Sequence, residues 1–205
     1  MIEPIRVAVV DDHPSIVAAV GSAIDADAGM AFIGAGRTLE EGIGLASLVD
    51  VLVCDVQLAG RAEGLRVLEY AHGLPGGPAV LLLSGFGQAS LVRAAIDRGA
   101  AGYLDKGAEV ATILDAVRTV AGGGTVFRAA DLAAAREAPR RPSGRELEVI
   151  ARVVAGSTNA EVAAELGLSE KTVETHLHRL FDRYGLLSRT ELAVLAMHEG
   201  WVPER

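Results

Sequence analysis

Short apolar runs alternate, over the first 121 residues, with stretches in which apolar positions recur every three or four residues. Strand-like runs fall near 5–10, 30–34, 51–54, 79–83 and 101–104, and helical patterns near 14–25, 39–48, 64–72, 88–98 and 109–121. Five βα repeats predict a parallel sheet with helices on both faces. Runs such as Ile5-Arg6-Val7-Ala8-Val9-Val10 and Val80-Leu81-Leu82-Leu83 are nearly continuous in apolar residues, as strands covered on both faces must be.

After Gly122-Gly123-Gly124 the alternation stops. An Ala-rich stretch at 129–137 and then Pro139-Arg140-Arg141-Pro142 make 125–141 a linker with room for some helix. From 143 onward the pattern becomes one of short helices with strong start signals. Ser143-Gly144-Arg145-Glu146, Thr158-Asn159-Ala160-Glu161 and Ser188-Arg189-Thr190-Glu191 each place Glu three residues after a capping Ser or Thr. Ser169 can cap a fourth helix, and Gly167-Leu168-Ser169 is the short turn of a helix-turn-helix. The expected organisation is a doubly wound α/β domain over 1–124, a linker over 125–141, and an all-α four-helix domain over 142–205.

Composition narrows the class. Half of the 205 residues are apolar and 22% are charged, an ordinary globular mix, but only 4% are aromatic, so the core must be aliphatic. The first apolar run meets Asp11 too soon for a signal peptide. The longest uncharged stretch, Tyr70 to Val92, is broken by Leu74-Pro75-Gly76-Gly77-Pro78 and is no membrane helix. Cys54 is the sole cysteine, so no intrachain disulfide forms. These features fit a cytoplasmic protein with no membrane partner. Residues 1–138 carry 10 Lys and Arg against 17 Asp and Glu, and residues 139–205 carry 9 against 10. Neither part has the basic excess of a tight non-specific nucleic-acid binder, so DNA binding must rest on local patches and on pairing of two copies.

The candidate chemistry sits where strands should end. Asp11 and Asp12 follow the first run and Asp55 follows Val51-Leu52-Val53-Cys54. Ligands of open α/β sheets bind at such tips. Three clustered carboxylates raise one another's pKa and are tolerable mainly around a hard divalent cation, so a Mg²⁺ site is expected. Read alone, Asp11-Asp12 could equally be a solvated turn. With a metal and a cation to neutralise the transferring oxygens, a carboxylate can attack a phosphoryl group, and Asp55 is the candidate nucleophile. Ser84 after the fourth strand offers a hydroxyl, and Lys106 after the fifth offers an ammonium. Lys106 and Lys171 are the only lysines beside 17 arginines. Cys54 reads as a small buried hydrophobe, and His13 as a residue that orders its loop, since such an ion prefers oxygen.

Asp11-Asp12-His13-Pro14, Asp55, Ser84-Gly85 and Gly102-Tyr103-Leu104-Asp105-Lys106 together resemble the receiver domain of two-component response regulators over about residues 4–122. The resemblance implies a flavodoxin-like strand order and phosphorylation of Asp55 by a sensor histidine kinase. It also implies Mg²⁺ held by Asp12, Asp55 and the carbonyl of Gln57, with Asp11 acting through water. Ser84 and Lys106 would meet the phosphate, and Ser84 and Tyr103 would form the switch. Two departures stand out: Ala59 where proline is common, and Ser84 where threonine is equally usual.

In the helical domain, Val173, Leu177, Leu180 and Tyr184 form one apolar stripe on a helix from 170 to 184. The opposite face carries Lys171, Glu174, Thr175, His178, Arg179 and Asp182, side-chain types that reach base edges and phosphates, although the same face could simply be solvated. Segments 143–150, 158–163 and 168–177 resemble the LuxR-type helix-turn-helix. With the receiver they are similar to the NarL/FixJ class of response regulators, which implies double-stranded DNA as partner and a homodimer on phosphorylation. Candidate DNA contacts are Lys171, Thr172, Glu174, Thr175, His178 and Arg179. Glu174 stands where a basic residue is frequent, and it can accept from a cytosine amino group. The expected protein is a phosphorylation-controlled transcription regulator without separate substrate turnover. Two rivals are an aspartyl-phosphate phosphatase, whose second acid would have to replace Gln57, and a helical module that grips protein or RNA.

Overall fold

The structure, a computed structural model, describes residues 3–85, 89–137, 139–184 and 186–202. The chain forms two compact units, residues 1–138 and 139–205. In the first unit the elements run β1 (Ile5–Val10), α1 (Pro14–Asp25), β2 (Met30–Gly36), α2 (Leu39–Ala46), β3 (Val51–Asp55), α3 (Gly64–Gly73), β4 (Ala79–Ser84), α4 (Ala89–Asp97), β5 (Gly102–Asp105), α5 (Val110–Ala121) and α6 (Ala129–Glu137). The five strands pair in parallel in the order β2-β1-β3-β4-β5, the flavodoxin-like arrangement. Helix α4 begins at Ala89, and residue 88 of the expected span lies outside the described residues.

The period of two along each strand sorts side chains onto two cores. Ala8, Val10, Leu52, Cys54, Val80 and Leu82 face α2, α3 and α4, while Val7, Val9, Val51, Val53, Leu81 and Leu83 face α1 and α5. Because all of β3 is buried, its run ends in carboxylate Asp55 without an intervening polar residue. The stretch expected as linker is tied to this unit. Val126 N–H donates to the Ala101 carbonyl and Tyr103 N–H to the Val126 carbonyl, extending the sheet edge by one residue beside β5. Helix α6 then lies along α4, with Ala135 buried and the Arg93 guanidinium donating to the Ala135 carbonyl at 3.0 Å.

The second unit has four described helices, α7 (Gly144–Val154), α8 (Asn159–Leu166), α9 (Glu170–Tyr184) and α10 (Arg189–His198). Ser143 with Glu146 and Thr158 with Glu161 form complete reciprocal caps. The third signal closes differently. Ser188 accepts from Glu191 N–H, but the Glu191 carboxylate accepts from Leu187 N–H, one residue upstream. Gly167 ends α8 in the left-handed region at φ 65°, which opens the turn into α9. Val173, Leu177 and Leu180 are buried with Val149, Ile150, Val162 and Leu192. Tyr184 packs against Trp201 with ring centroids 4.8 Å apart and planes tilted by 51°. Among the described residues no helix is long and apolar enough to cross a membrane.

Glu146 does more than cap α7. Its carboxylate takes a bidentate pair from Arg183 on α9 at 2.8 and 3.1 Å and accepts from Ser143 N–H. Burial works against its charge, but these bonds prevail and hold it below its usual value near 4.5. A lowered folded-state pKa means the contribution is full above about 4.5 and is lost as pH falls through the lower, folded value. Urea unfolding followed by Trp201, the single tryptophan, should therefore show the second unit weakening below that pH. Glu146→Gln should cost roughly 1–2 kcal/mol at neutral pH, and the gap should close in acid.

Candidate functional site

Register places the polar residues at one level. Val10 pairs with Cys54, so Asp11 and Asp55 follow one another across β1 and β3, while Asp55 pairs with Leu83 and Ser84 with Asp105. Lys106 N–H then donates to the Ser84 carbonyl. The Lys106 ammonium reaches back to Asp55 Oδ2 at 2.5 Å and to both Asp11 oxygens at 2.9 and 3.0 Å. Asp11 and Asp55 are buried, and Asp12 is partly exposed.

A backbone amide holds one oxygen of each carboxylate. Asp55 Oδ1 accepts from Gln57 N–H at 3.0 Å, Asp11 Oδ1 from His13 N–H at 2.9 Å, and Asp12 Oδ2 from Ala59 N–H at 3.0 Å. The His13 ring nitrogen Nδ1 lies 2.7 Å from Asp12 Oδ1 and 3.0 Å from Asp11 Oδ1, so this edge of the ring faces the acids. Lys106 Nζ lies 3.3 Å from the same nitrogen. Burial pushes the Asp55 carboxyl above its ordinary range and the Asp11 charge adds to this, against the pull of Lys106 and Gln57 N–H. Burial also disfavours the Lys106 charge, but its bonds to Asp55 and Asp11 win and raise it. The ammonium is therefore charged, and the crowded acids are short of positive charge.

That shortage bears on the metal. The ligand atoms of Asp11, Asp12, His13 and Asp55 lie within 4.8 Å of one another. Asp11 Oδ2 and Asp12 Oδ1 are buried and have ion-pair neighbours but no hydrogen bond of good geometry. Orphaned carboxylate oxygens beside a buried acid are a donor set for a hard divalent cation. The three acids fit the expected Mg²⁺.

Of the other expected residues, Ser84 and Tyr103 are buried on β4 and β5, and Gln57 lies just past β3 with its amide on Asp55. In the second unit Lys171, Glu174, Thr175, His178 and Arg179 are exposed on one side of α9, and Thr172 is half-buried. Ser169 Oγ accepts from Thr172 N–H at 3.1 Å and starts the helix.

One site residue escapes a reading of the sequence, and another, Ala59, is visible there only as a departure whose role the backbone reveals. A Cβ at Gly64 would lie 1.8 Å from the Asp55 carbonyl, so α3 can press against the end of β3 only through a glycine. Its signal was no more than a glycine at a helix start. Ala59 sits at φ 51°, where L-residues are rare, and donates its amide to Asp12. Proline here would have neither the φ nor the N–H for this contact. The departure is thus part of how Asp12 is held.

Residues 7–118 match the family model of the response regulator receiver domain, and residues 143–196 match that of the bacterial regulatory proteins of the luxR family. The transcriptional regulatory protein UhpA of Salmonella typhimurium (strain LT2) is 34% identical over 203 residues, covering 96% of this chain and all of that one. The nitrate/nitrite response regulator NarP of Escherichia coli (strain K12) is 29% identical, covering 96% of each. Among solved structures, the response regulator ChrA of a heme-sensing two-component system shares 30% identity at a TM-score of 0.54, over 97% of this chain and 99% of that one. RcsB of Salmonella enterica serovar Typhimurium, solved on promoter DNA with phosphomimetic BeF3-, shares the fold at 17% identity and a TM-score of 0.69, over 96% and 99%.

Substitutions at position 59 test the loop. Ala59→Gly should keep the amide and relieve the left-handed backbone, raising stability by about 0.5–1 kcal/mol in chemical denaturation. Ala59→Pro should destabilise the first unit and weaken Mg²⁺ binding measured by calorimetry. A proline variant that binds the ion like the parent would show that the amide contact to Asp12 is dispensable.

Proposed function

The chain belongs to the two-component response regulators that join a receiver domain to a LuxR-type helix-turn-helix, a family of phosphorylation-controlled transcription regulators, and on that premise we propose that Asp55 is its phosphoacceptor. The carrying observation is the buried Asp55 carboxylate, held by Gln57 N–H and the Lys106 ammonium beside Asp11 and Asp12 with buried orphan oxygens. An Asp55 oxygen attacks the phosphorus of a phosphohistidine on the sensor kinase. The P–O bond forms as the P–N bond breaks, and the imidazole leaves with the electron pair. Asp11, Asp12, Asp55 and the Gln57 carbonyl would hold Mg²⁺, which when bound neutralises charge on the transferring oxygens. Lys106, released from Asp55 as that carboxylate becomes an acyl phosphate, stays beside the new anion. The Ser84 hydroxyl supplies a further donor to the phosphoryl group, and burial of Ser84 and Tyr103 lets the pair repack together. The receiver assists its own phosphorylation and hydrolysis and turns over no separate substrate.

The second unit binds DNA in this reading through Lys171, Thr172, Glu174, Thr175, His178 and Arg179. Its near-neutral charge allows one copy only a few phosphate contacts, so two copies occupy paired half-sites about one helical turn apart. Phosphorylation raises affinity by favouring the dimer.

Treatment with a small phosphodonor and Mg²⁺ should add one phosphate to the intact protein by mass spectrometry. Asp55→Asn or excess chelator should abolish the shift, and its persistence in the variant would overturn the assignment.

Lys106→Ala should remain folded, because its loss leaves Asp55 and Asp11 free to take up protons or a cation. It should not gain dimer or DNA affinity after phosphodonor treatment, as sedimentation and gel shifts would show.

A further inference from the structure

The exposed face of α9 has a fixed hydrogen-bonding sense. The Thr175 hydroxyl lies 2.8 Å from the Lys171 carbonyl, and His178 Nδ1 lies 3.0 Å from the Glu174 carbonyl. A carbonyl oxygen cannot donate, so both protons point back into the helix. Thr175 Oγ1 is left with lone pairs outward, and because Nδ1 must be the donor to the Glu174 carbonyl, the outward Nε2 of His178 is the acceptor in the tautomer this bond selects. Glu174 is a carboxylate and only accepts. Residues 174, 175 and 178 stand at i, i+1 and i+4, hence on one side of the helix, and all three are exposed. The helix thus presents a contiguous acceptor patch, flanked by the donors Lys171, one turn before Glu174, and Arg179, next after His178.

We infer that this patch selects cytosine, whose major-groove edge offers an N4 amino donor and no acceptor. Guanine presents N7 and O6 and thymine presents O4, each lone pair against lone pair. Adenine offers its N6 amino group but sets N7 beside it, which again faces an acceptor. Lys171 and Arg179 remain for phosphate or guanine on either side of the patch. The inference rests on α9 entering the major groove as proposed above, and it adds which base that groove must hold.

Binding-site selection from a randomised duplex library tests it, using the phosphodonor-treated full chain and four exposed-face variants whose helix content is checked by circular dichroism. The parent should favour cytosine over guanine or thymine by roughly ten-fold at one or two adjacent positions of each half-site. Glu174→Gln, which supplies a donor beside its acceptor, should move the preference at one position to adenine. His178→Arg should move it to guanine at a neighbouring one. Lys171→Ala and Arg179→Ala should weaken binding on every selected site. If those two variants weaken binding while the parent selects guanine or thymine under the patch, or Glu174→Gln changes no preference, the acceptor reading falls and DNA binding by α9 stands. Unchanged binding in all four would remove both. Nitrogen-15 NMR of His178 provides a separate check, since a proton found on Nε2 of the neutral ring contradicts the tautomer.

Discussion

One ammonium among buried carboxylates sets the terms for the first unit. Lys106 touches Asp55 and both oxygens of Asp11, two side chains that are almost wholly out of water. Like charges less than 5 Å apart repel by about 3 kcal/mol at an effective dielectric near 20, so two buried acids would not both ionise without it. Asp12 brings a third carboxylate, and one lysine cannot balance three. The residual negative charge is what makes these carboxylates a fitting donor set for a divalent cation. The fold exists around this cluster in a direct sense. Parallel register sets Asp11 beside Asp55, and the crossing from β5 into Lys106 is pinned by the Ser84 carbonyl.

The acids, the hydroxyl and the ammonium were readable in the sequence because a strand covered on both faces is a nearly unbroken apolar run, and the polar residue that ends it marks the sheet edge. β1, β3 and β4 follow from this, whereas β2, half-exposed and ending in Gly36, follows from its place in the alternation. The strand order and the roles at the tip came from family resemblance, since alternation alone does not order a sheet. What stayed hidden depends on the backbone. Gly64 matters because a carbonyl lies where its Cβ would be, and Ala59 because its left-handed φ aims an amide at Asp12. The spacing of Ser188 and Glu191 matched the other two caps. Yet the carboxylate bonds one residue upstream, a choice made by the path of the chain into α10.

The two units solve opposite electrostatic problems. In the first, charge is buried and opposed, and the pKa values of Asp55 and Lys106 both rise as a result. In the second, the buried charge of Glu146 is fully matched by Arg183 and by the start of α7, so its pKa falls. An acid short of partners is poised to react or to bind a cation. An acid with its partners in place is a joint between helices, here between α7 and the C-terminal end of α9. That joint leaves the N-terminal half of α9 free of packing duties on its outer side, and it is there that back-bonded Thr175 and His178 present a fixed set of acceptors.

The segment at 125–137 shows why a boundary drawn from composition differs from one drawn by contacts. Gly122-Gly123-Gly124 and the alanines that follow look like a tether, but the backbone of Val126 closes two hydrogen bonds onto β5, and α6 lies on α4 with its end held by Arg93. Strand β5 carries Tyr103 in its middle and delivers Lys106 at its tip. Tyr103 N–H itself donates to Val126. Any shift of β5 must therefore strain these two bonds or carry residue 126 along. Residue 126 is thus joined to β5 by main-chain bonds, and of the substitutions at 126 only proline removes one of them, by taking away its N–H.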